Sequence, residues 1–484
     1  MTAATAPASE RLSEFLASAD PEATFIEQMR RIIAKRGAGP RGGRAAPDPM
    51  RILLVGYSGA GNTGADVRVS EIIRQLHAIL GPQRAAIALT IVGDMVPDDV
   101  FAGAEQVPMV GYSADFLDAV ADRYDAMLAC EGSMFKSKNS NIFSALMGAT
   151  LGIADRQGKL AVGYGADAGP MDPVLEKFIA ELGAGPLILC RSPQSAAFLA
   201  RVGLRTDVGA DTAWTYEPAS PQASRAALQS LGWSGTQPVL VLCPVNPFWW
   251  PVQTDVAKAK EMEETGAHRD THYGSVFFHQ DSEERRSRYH RYLDGLAEAA
   301  KAWRDETNGW VLIVGMERID RRACADLADR LPFATGRILS GEWPVGRIVG
   351  ALRLADLLIS SRYHAIVTSM PALVPAIGVS MDERIANLLH GFAADERLLQ
   401  VDDPQLGERL VAATRMVRAK REELAEATGR EVARQLRAMG RMGEAFAAEA
   451  ARVYPGLPPP PQAGWERFLP AMSPRLAALL ERFA

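Results

Sequence analysis

Cysteine is scarce in this chain. Cys130, Cys190, Cys243 and Cys324 are the only four in 484 residues, and they lie far apart. Three sit inside apolar runs, which suits reduced core thiols and excludes a disulfide framework or a paired CxxC metal site. No apolar run approaches about 18 residues, so no helix is expected to span a membrane. A basic surplus is also missing: 53 Lys and Arg stand against 58 Asp and Glu, a formal net charge of −5. That balance excludes a general nucleic-acid surface. The opening MTAATAPASERLSEFL lacks a charged segment followed by an apolar one, so no secretory signal is expected and the expected location is the cytoplasm. His268, His272 and His279 match no standard zinc spacing, and no metal or organic cofactor is expected.

What is present reads as a two-domain α/β chain. Hydrophobic residues make up 48% and charged residues 23%, near the globular average, and the length exceeds what one core usually holds. Residues 1–48 form an amphipathic helical extension closed by the Gly/Pro-rich linker RGAGPRGGRAAPDP. Residues 49–215 carry short apolar runs, RILLVGYS, AIALTIVG, YDAMLACEGS, LAVGYGADAG and PLILCRS, alternating with helical patterns. Residues 216–403 repeat the theme with PVLVLCPVN, WVLIVGM, RILSG, LLISSRYHAI and VPAIGVS. Such alternation predicts two Rossmann-like parallel sheets, each covered on both faces, with ligands at the carboxyl ends of the strands. The periodicity fails between 247 and 290, an aromatic-rich insertion in which Trp249 and Trp250 offer either a sugar platform or cover for a core edge. Residues 404–484 form a charged helical extension interrupted by PGLPPPP. The apolar residues of both extensions need cover, on the α/β core or on another copy of the chain.

Four segments carry chemistry. GYSGAGNTGADVR follows a strand and opens a helix, and Gly59, Gly61 and Gly64 spell GxGxxG. Glycines there let backbone N–H groups approach an anion, with Asn62 and Asp66 beside them. CEGSMFKSKNSN ends a strand at Glu131, Gly132 and Ser133 and continues through Lys136 and Lys138, a candidate acceptor floor. LILCRSPQS puts Arg191 directly after a strand, where its planar fork of donors suits a carboxylate or phosphate. SSRYHAI puts Arg362 and His364 at another strand end, aimed together into the crevice while the chain is extended.

In this order, GYSGAGNTGAD, CEGS, CRSPQS with Arg191 and Ser195, GADTAW with Asp211, and SSRYHA resemble the polysaccharide pyruvyl transferase family. The matches span about residues 50–395. The chain departs from the family where Ala65 separates Gly64 from Asp66, where Glu131 replaces a common glycine, and where Tyr363 replaces a usual leucine. The resemblance implies a GT-B-like fold, with two Rossmann-like domains facing a cleft. It also implies phosphoenolpyruvate as a donor co-substrate and a sugar or glycan acceptor, yielding a pyruvate ketal. Arg191 and Arg362 would then clamp the donor, His364 would be the general acid, and Asp66 or Glu131 would take the hydroxyl proton. Two other readings share the fold: a nucleotide-sugar glycosyltransferase, with Asp382 or Glu383 as the carboxylate on a ribose, and a non-catalytic binding protein.

Overall fold

The computed structural model describes residues 9–40, 45–93, 96–97, 100–101, 103–109, 113–265, 277–389, 396–457 and 464–483. Two helices come first, α1 (Glu10–Ala17) and α2 (Pro21–Ala34). The first α/β unit then runs β1 (Met50–Ser58), α3 (Thr63–Leu80), β2 (Ala85–Ile91), β3 (Ala104–Pro108), α4 (Ser113–Val120), β4 (Ala126–Ala129), α5 (Asn141–Arg156), β5 (Leu160–Ala166), α6 (Pro173–Ala180), β6 (Leu187–Cys190), α7 (Pro193–Arg201) and β7 (Arg205–Val208). Its seven strands are parallel, in the order β3-β2-β1-β4-β5-β6-β7.

The second unit follows α8 (Pro221–Ser230), with β8 (Val239–Cys243), β9 (Gln253–Thr254), α9 (Val256–Thr265), β10 (Phe277–Phe278), α10 (Glu283–Thr307), β11 (Trp310–Gly315), α11 (Arg321–Ala328), β12 (Gly336–Leu339), α12 (Val345–Leu352), β13 (Leu357–Ser360), α13 (Tyr363–Ser369), β14 (Ala376–Ser380), α14 (Glu383–Leu389) and β15 (Leu398–Gln400). Six of these strands make a second parallel sheet, β12-β11-β8-β13-β14-β15. Both sheets start mid-sheet and reverse direction next to the first strand, at β1/β4 and at β8/β13. Those reversals open the crevices where ligands of such folds lie. The expected pair of Rossmann-like sheets is therefore present.

Local chemistry explains many element starts. Asp20-Pro21, Asp172-Pro173, Ser192-Pro193, Ser220-Pro221 and Ser473-Pro474 each place a capping oxygen before a proline in the first turn. In each case the oxygen accepts the N–H two residues after the proline, while proline's missing donor costs nothing at that position. The central strands are buried on both faces, VLVLC and WVLIVG completely, which is why they read as unbroken apolar runs, whereas the edge strand β7 (RTDV) is partly exposed and largely polar.

The 247–290 insertion is partly regular: β9 and β10 form a two-stranded antiparallel ribbon, too short for alternation to show in sequence. Trp250 packs with Val245 and Val252, so it covers a core edge, while Trp249 stacks on His279 at 4.3 Å between ring centroids. His268 and His272 lie outside the described residues. At the amino end, Phe15, Phe25, Met29 and Ile32 join the core on the α4–α6 face of the first sheet. At the carboxyl end, α15 (Leu406–Ala419) packs on α10, and one residue later α16 (Arg421–Val453) crosses to the first unit. There Phe446 meets Tyr164 edge-on at 5.6 Å and the Tyr454 hydroxyl donates to the Asp125 carbonyl at 2.6 Å. α17 (Pro474–Arg482) and the turn at Trp465–Phe468 pack on α16. The extensions thus find their cover within the chain.

Candidate active site

The residues after β1, β4, β5, β6 and β7 face those after β11, β13 and β14, all at carboxyl ends. At the centre is Asp211, following β7, with a fully buried side chain. Its Oδ2 lies 3.0 Å from an Arg191 terminal nitrogen, 3.1 Å from Arg68 Nε and 3.4 Å from His364 Nε2. Burial alone would raise this carboxyl, but Arg68, His364 and Arg191 hold it far below the carboxylate range. Arg191 also pairs with Asp167 at 2.6 Å, and its guanidinium lies over the Tyr363 ring at 4.2 Å. Ser195 donates to Asp167 in a short contact. Arg191, Ser195, Asp211 and His364, from three of the expected motifs, therefore meet around two aspartates.

Arg68 ties the first-domain strand ends together. It donates to the carbonyls of Cys130 at 2.9 Å, Tyr164 at 3.2 Å and Gly165 at 2.9 Å. Arg68 lies in the first half of α3 and Asp167 just after β5, yet nothing in the sequence marks them: the partners of Arg68 are mostly main-chain oxygens, and Asp167 is the single charge in an ordinary-looking GADAG. Gly132 is explained by the same crowding. A Cβ there would stand 2.6 Å from an Arg191 nitrogen and 3.2 Å from one of Arg68.

The glycine-rich turn is used differently from the sequence expectation. Asn62 Oδ1 accepts the N–H groups of Gly64 and Ala65 at 3.0 and 3.1 Å, and Gly59 N–H donates to Asp66 at 3.0 Å. Thr63 N–H donates to the Met316 carbonyl at 2.9 Å, and Arg318 N–H returns a bond to the Gly61 carbonyl at 3.0 Å. These donors, expected to face an anion, are already taken, one of them by the second domain. Gly64 serves another purpose: a Cβ on it would be 2.2 Å from His364 Nδ1, so only glycine lets the imidazole lie against the start of α3. Burial raises the Asp66 carboxyl to about 6, with Glu131 adding to the rise and the Gly59 N–H opposing it.

Arg362 and His364 diverge, because Arg362 precedes α13 in extended backbone while His364 lies within its first turn. Arg362 turns to its own domain, 3.0 Å from Glu317 and in short contact with Asp320. His364 turns to the first domain. Burial lowers its pKa, as do Arg191 and Arg68, while Asp211 opposes them. Asp382 does not face outward as a free carboxylate: Arg384 holds it at 2.6 Å and Lys136 stands 3.9 Å away. Burial would raise it, but these cations keep it far below the usual range. Lys136, fully buried, bonds Glu383 at 2.6 Å, and Arg384 donates to Ser133 Oγ at 3.3 Å, joining the EGS loop to the second domain. Sequence reasoning missed Glu317, Asp320 and Arg384, which look like ordinary surface charges in MERID and MDERI. Among the described residues, no group of three or more His, Cys, Asp or Glu side chains is arranged to hold a metal ion, and no helix is long and apolar enough to cross a membrane.

No protein-family model matches the sequence, nor does any curated protein sequence. Solved structures do match. A Listeria monocytogenes protein described as a UDP-N-acetylglucosamine 2-epimerase aligns with a TM-score of 0.51 at 11% identity, over 83% of this chain and 96% of that one. The fold is GT-B-like. The UDP-GlcNAc 2-epimerase of Neisseria meningitidis aligns at 0.45 with 10% identity, over 78% and 94%. The O-GlcNAc transferase of Thermobaculum terrenum aligns at 0.43 with 13% identity, over 95% and 76%. In GT-B-like terms, α16 is the segment that returns from the second domain to cover the first.

Proposed function

We propose that the chain is a transferase that moves a pyruvyl group from phosphoenolpyruvate to the hydroxyls of a sugar or glycan, closing a pyruvate ketal. The observation that carries this reading is the meeting of Arg191, Asp211 and His364 in one buried cluster, although Arg191 and His364 lie on different domains and far apart in sequence. Arg191, its plane fixed on Tyr363, holds one anionic end of the donor. Burial, with Arg191 and Arg68, lowers the His364 pKa and favours the neutral ring. A bound trianion favours its protonated form, and the imidazolium then delivers that proton to the donor's methylene carbon. C2 becomes electrophilic, a sugar hydroxyl adds there and loses its proton, and phosphate leaves with the C–O bond pair. A second hydroxyl closes the ketal. One hydroxyl proton restores His364 and the other departs on phosphate. Glu131, its side chain 16% exposed, is the more open of the two candidate bases, with Asp66 at 4%. Arg362 positions the Met316–Arg318 turn that pairs with the glycine-rich loop.

A second reading, nucleotide-sugar transfer, draws on the fold shared with the Listeria protein described as acting on UDP-N-acetylglucosamine. The commitment of Asp382 to Arg384 and Lys136, and of Glu383 to Lys136, weighs against it, since these two carboxylates were the candidates for a ribose. Thermal shift of the full chain with phosphoenolpyruvate and with UDP-N-acetylglucosamine separates the two. A donor at about 100 times its Kd adds about 2.7 kcal/mol of stability. Stabilisation by the nucleotide sugar alone would reject pyruvyl transfer. Stabilisation by phosphoenolpyruvate without phosphate release on any sugar would leave a binding protein.

A further inference from the structure

We infer that Arg384 is the second-domain half of the anion site, facing Arg191 across the domain boundary. The inference rests on the reading that the site takes a small anionic donor, and it supplies the second guanidinium that Arg362 does not. A cavity of about 50 Å³ is lined by Asp167, Arg191, Ser192, Tyr363, Arg384 and Arg434, so it touches the first domain, the second domain and α16 at once. That volume suits a phosphate or carboxylate group. Arg362 is absent from this lining and is committed to Glu317 and Asp320.

Both facing guanidinium groups are held in place before any ligand arrives. Arg191 is fixed by Asp167, Asp211 and the Tyr363 ring. Arg384 is fixed by Asp382, whose two oxygens each accept from its Nε at 2.9 Å, and by Ser133. Two planar forks, one from each domain, match the two ends of a molecule that carries one carboxylate and one phosphate. Arg434 at the rim is tied to Glu431 at 2.5 Å and is less available. The carboxylates around Arg191 and Arg384 already answer their charge.

The test is calorimetric titration of the full chain with inorganic phosphate and with phosphoenolpyruvate, for wild type, Arg384→Gln and Arg384→Lys. Arg384→Gln should weaken both ligands by about 10- to 100-fold. Arg384→Lys, which keeps the charge and the Asp382 partner, should recover part of that loss and covers the case in which the glutamine variant does not fold. If both variants bind phosphoenolpyruvate within about twofold of wild type, the role of Arg384 is refuted while the donor reading stands. If wild type binds phosphate but not phosphoenolpyruvate, and Arg384→Gln loses the phosphate, the anion site stands and pyruvyl transfer fails. If wild type binds neither, both are overturned.

Discussion

Replacing Arg362 with methionine keeps most of the side-chain volume and removes one cation from between two carboxylates. Glu317, 3.0 Å away, and Asp320, closer still, have side chains only 4% and 0% exposed. Asp320 keeps the N–H groups of Met316 and Glu317, both at 3.0 Å, but neither carboxylate gains another positive partner. Stranding buried charge in this way typically costs about 3–5 kcal/mol. The pH dependence follows from direction alone. Burial holds both carboxyls above their ordinary values even with Arg362 opposing it. A carboxyl raised on folding favours the protonated form, so its contribution is greatest at low pH and is lost as pH rises through the folded value. Without Arg362 both values rise further. The deficit of Arg362→Met against wild type should thus be small near pH 5 and approach its full size near pH 8. Urea unfolding followed by fluorescence and circular dichroism at the two pH values measures it. A deficit below about 1 kcal/mol at pH 8, or an equal deficit at both, would refute the claim that Arg362 serves these two carboxylates.

Asp66→Asn keeps an oxygen for the Gly59 N–H and removes a carboxyl raised from 3.8 to about 6, so it should gain up to about 3 kcal/mol at pH 8 and nothing at pH 4; unfolding midpoints that do not separate with pH would contradict this. Gly64→Ala must push His364 off the start of α3, so proton titration of the imidazole by NMR should move toward its ordinary value, whereas Gly37→Ala, where a Cβ meets nothing within 4 Å, should leave it in place. His364→Gln should lower ketal formation by about 10²–10⁴-fold with little change in donor binding, and full turnover in this variant would remove the histidine from the mechanism. Deleting 464–484 removes Phe468, Leu469, Leu476, Leu479 and Leu480, each 8% exposed or less, and with them the cover on α16; at about 1.5–3 kcal/mol per fully buried side chain, melting should fall clearly, and an unchanged midpoint would show that the segment adds no cover.

The sheets were legible because their central strands are buried on both faces, and a stretch such as VLVLC, apolar at every position, suits a strand covered from both sides. The strand ends were legible for the same reason, since a polar residue after such a run stands at the crevice. What those residues touch was not. Arg362 and His364 are two positions apart, but the switch from extended chain to helix sends them to different domains. Arg68 looked like one more charge in a helix, and its role depends on three carbonyls from two other strand ends. The extension after 404 reads as charged helix, yet α16 buries Val432, Leu436, Met439, Met442 and Phe446. Its three small positions, Gly429, Gly440 and Gly443, admit Phe483, Trp465 and Phe468, a fit that no local pattern announces.

The chain passes between its two sheets twice, once between Val208 and Val239 and again at Lys420, the single residue separating α15 from α16. Two bodies tethered at two points turn most freely about the line joining the tethers, like the leaves of a door, because other movements must stretch one of them. The catch has several parts. Gly61, Thr63, Met316 and Arg318 share two backbone hydrogen bonds, Gly64 yields the space in which His364 rests, and Lys136 with Glu383 and Arg384 with Ser133 add side-chain ties. The two backbone bonds alone are worth about 1–3 kcal/mol together. The imidazole travels with one leaf and its aspartate stays on the other, so the swing that admits a molecule also separates the proton carrier from its counter-charge.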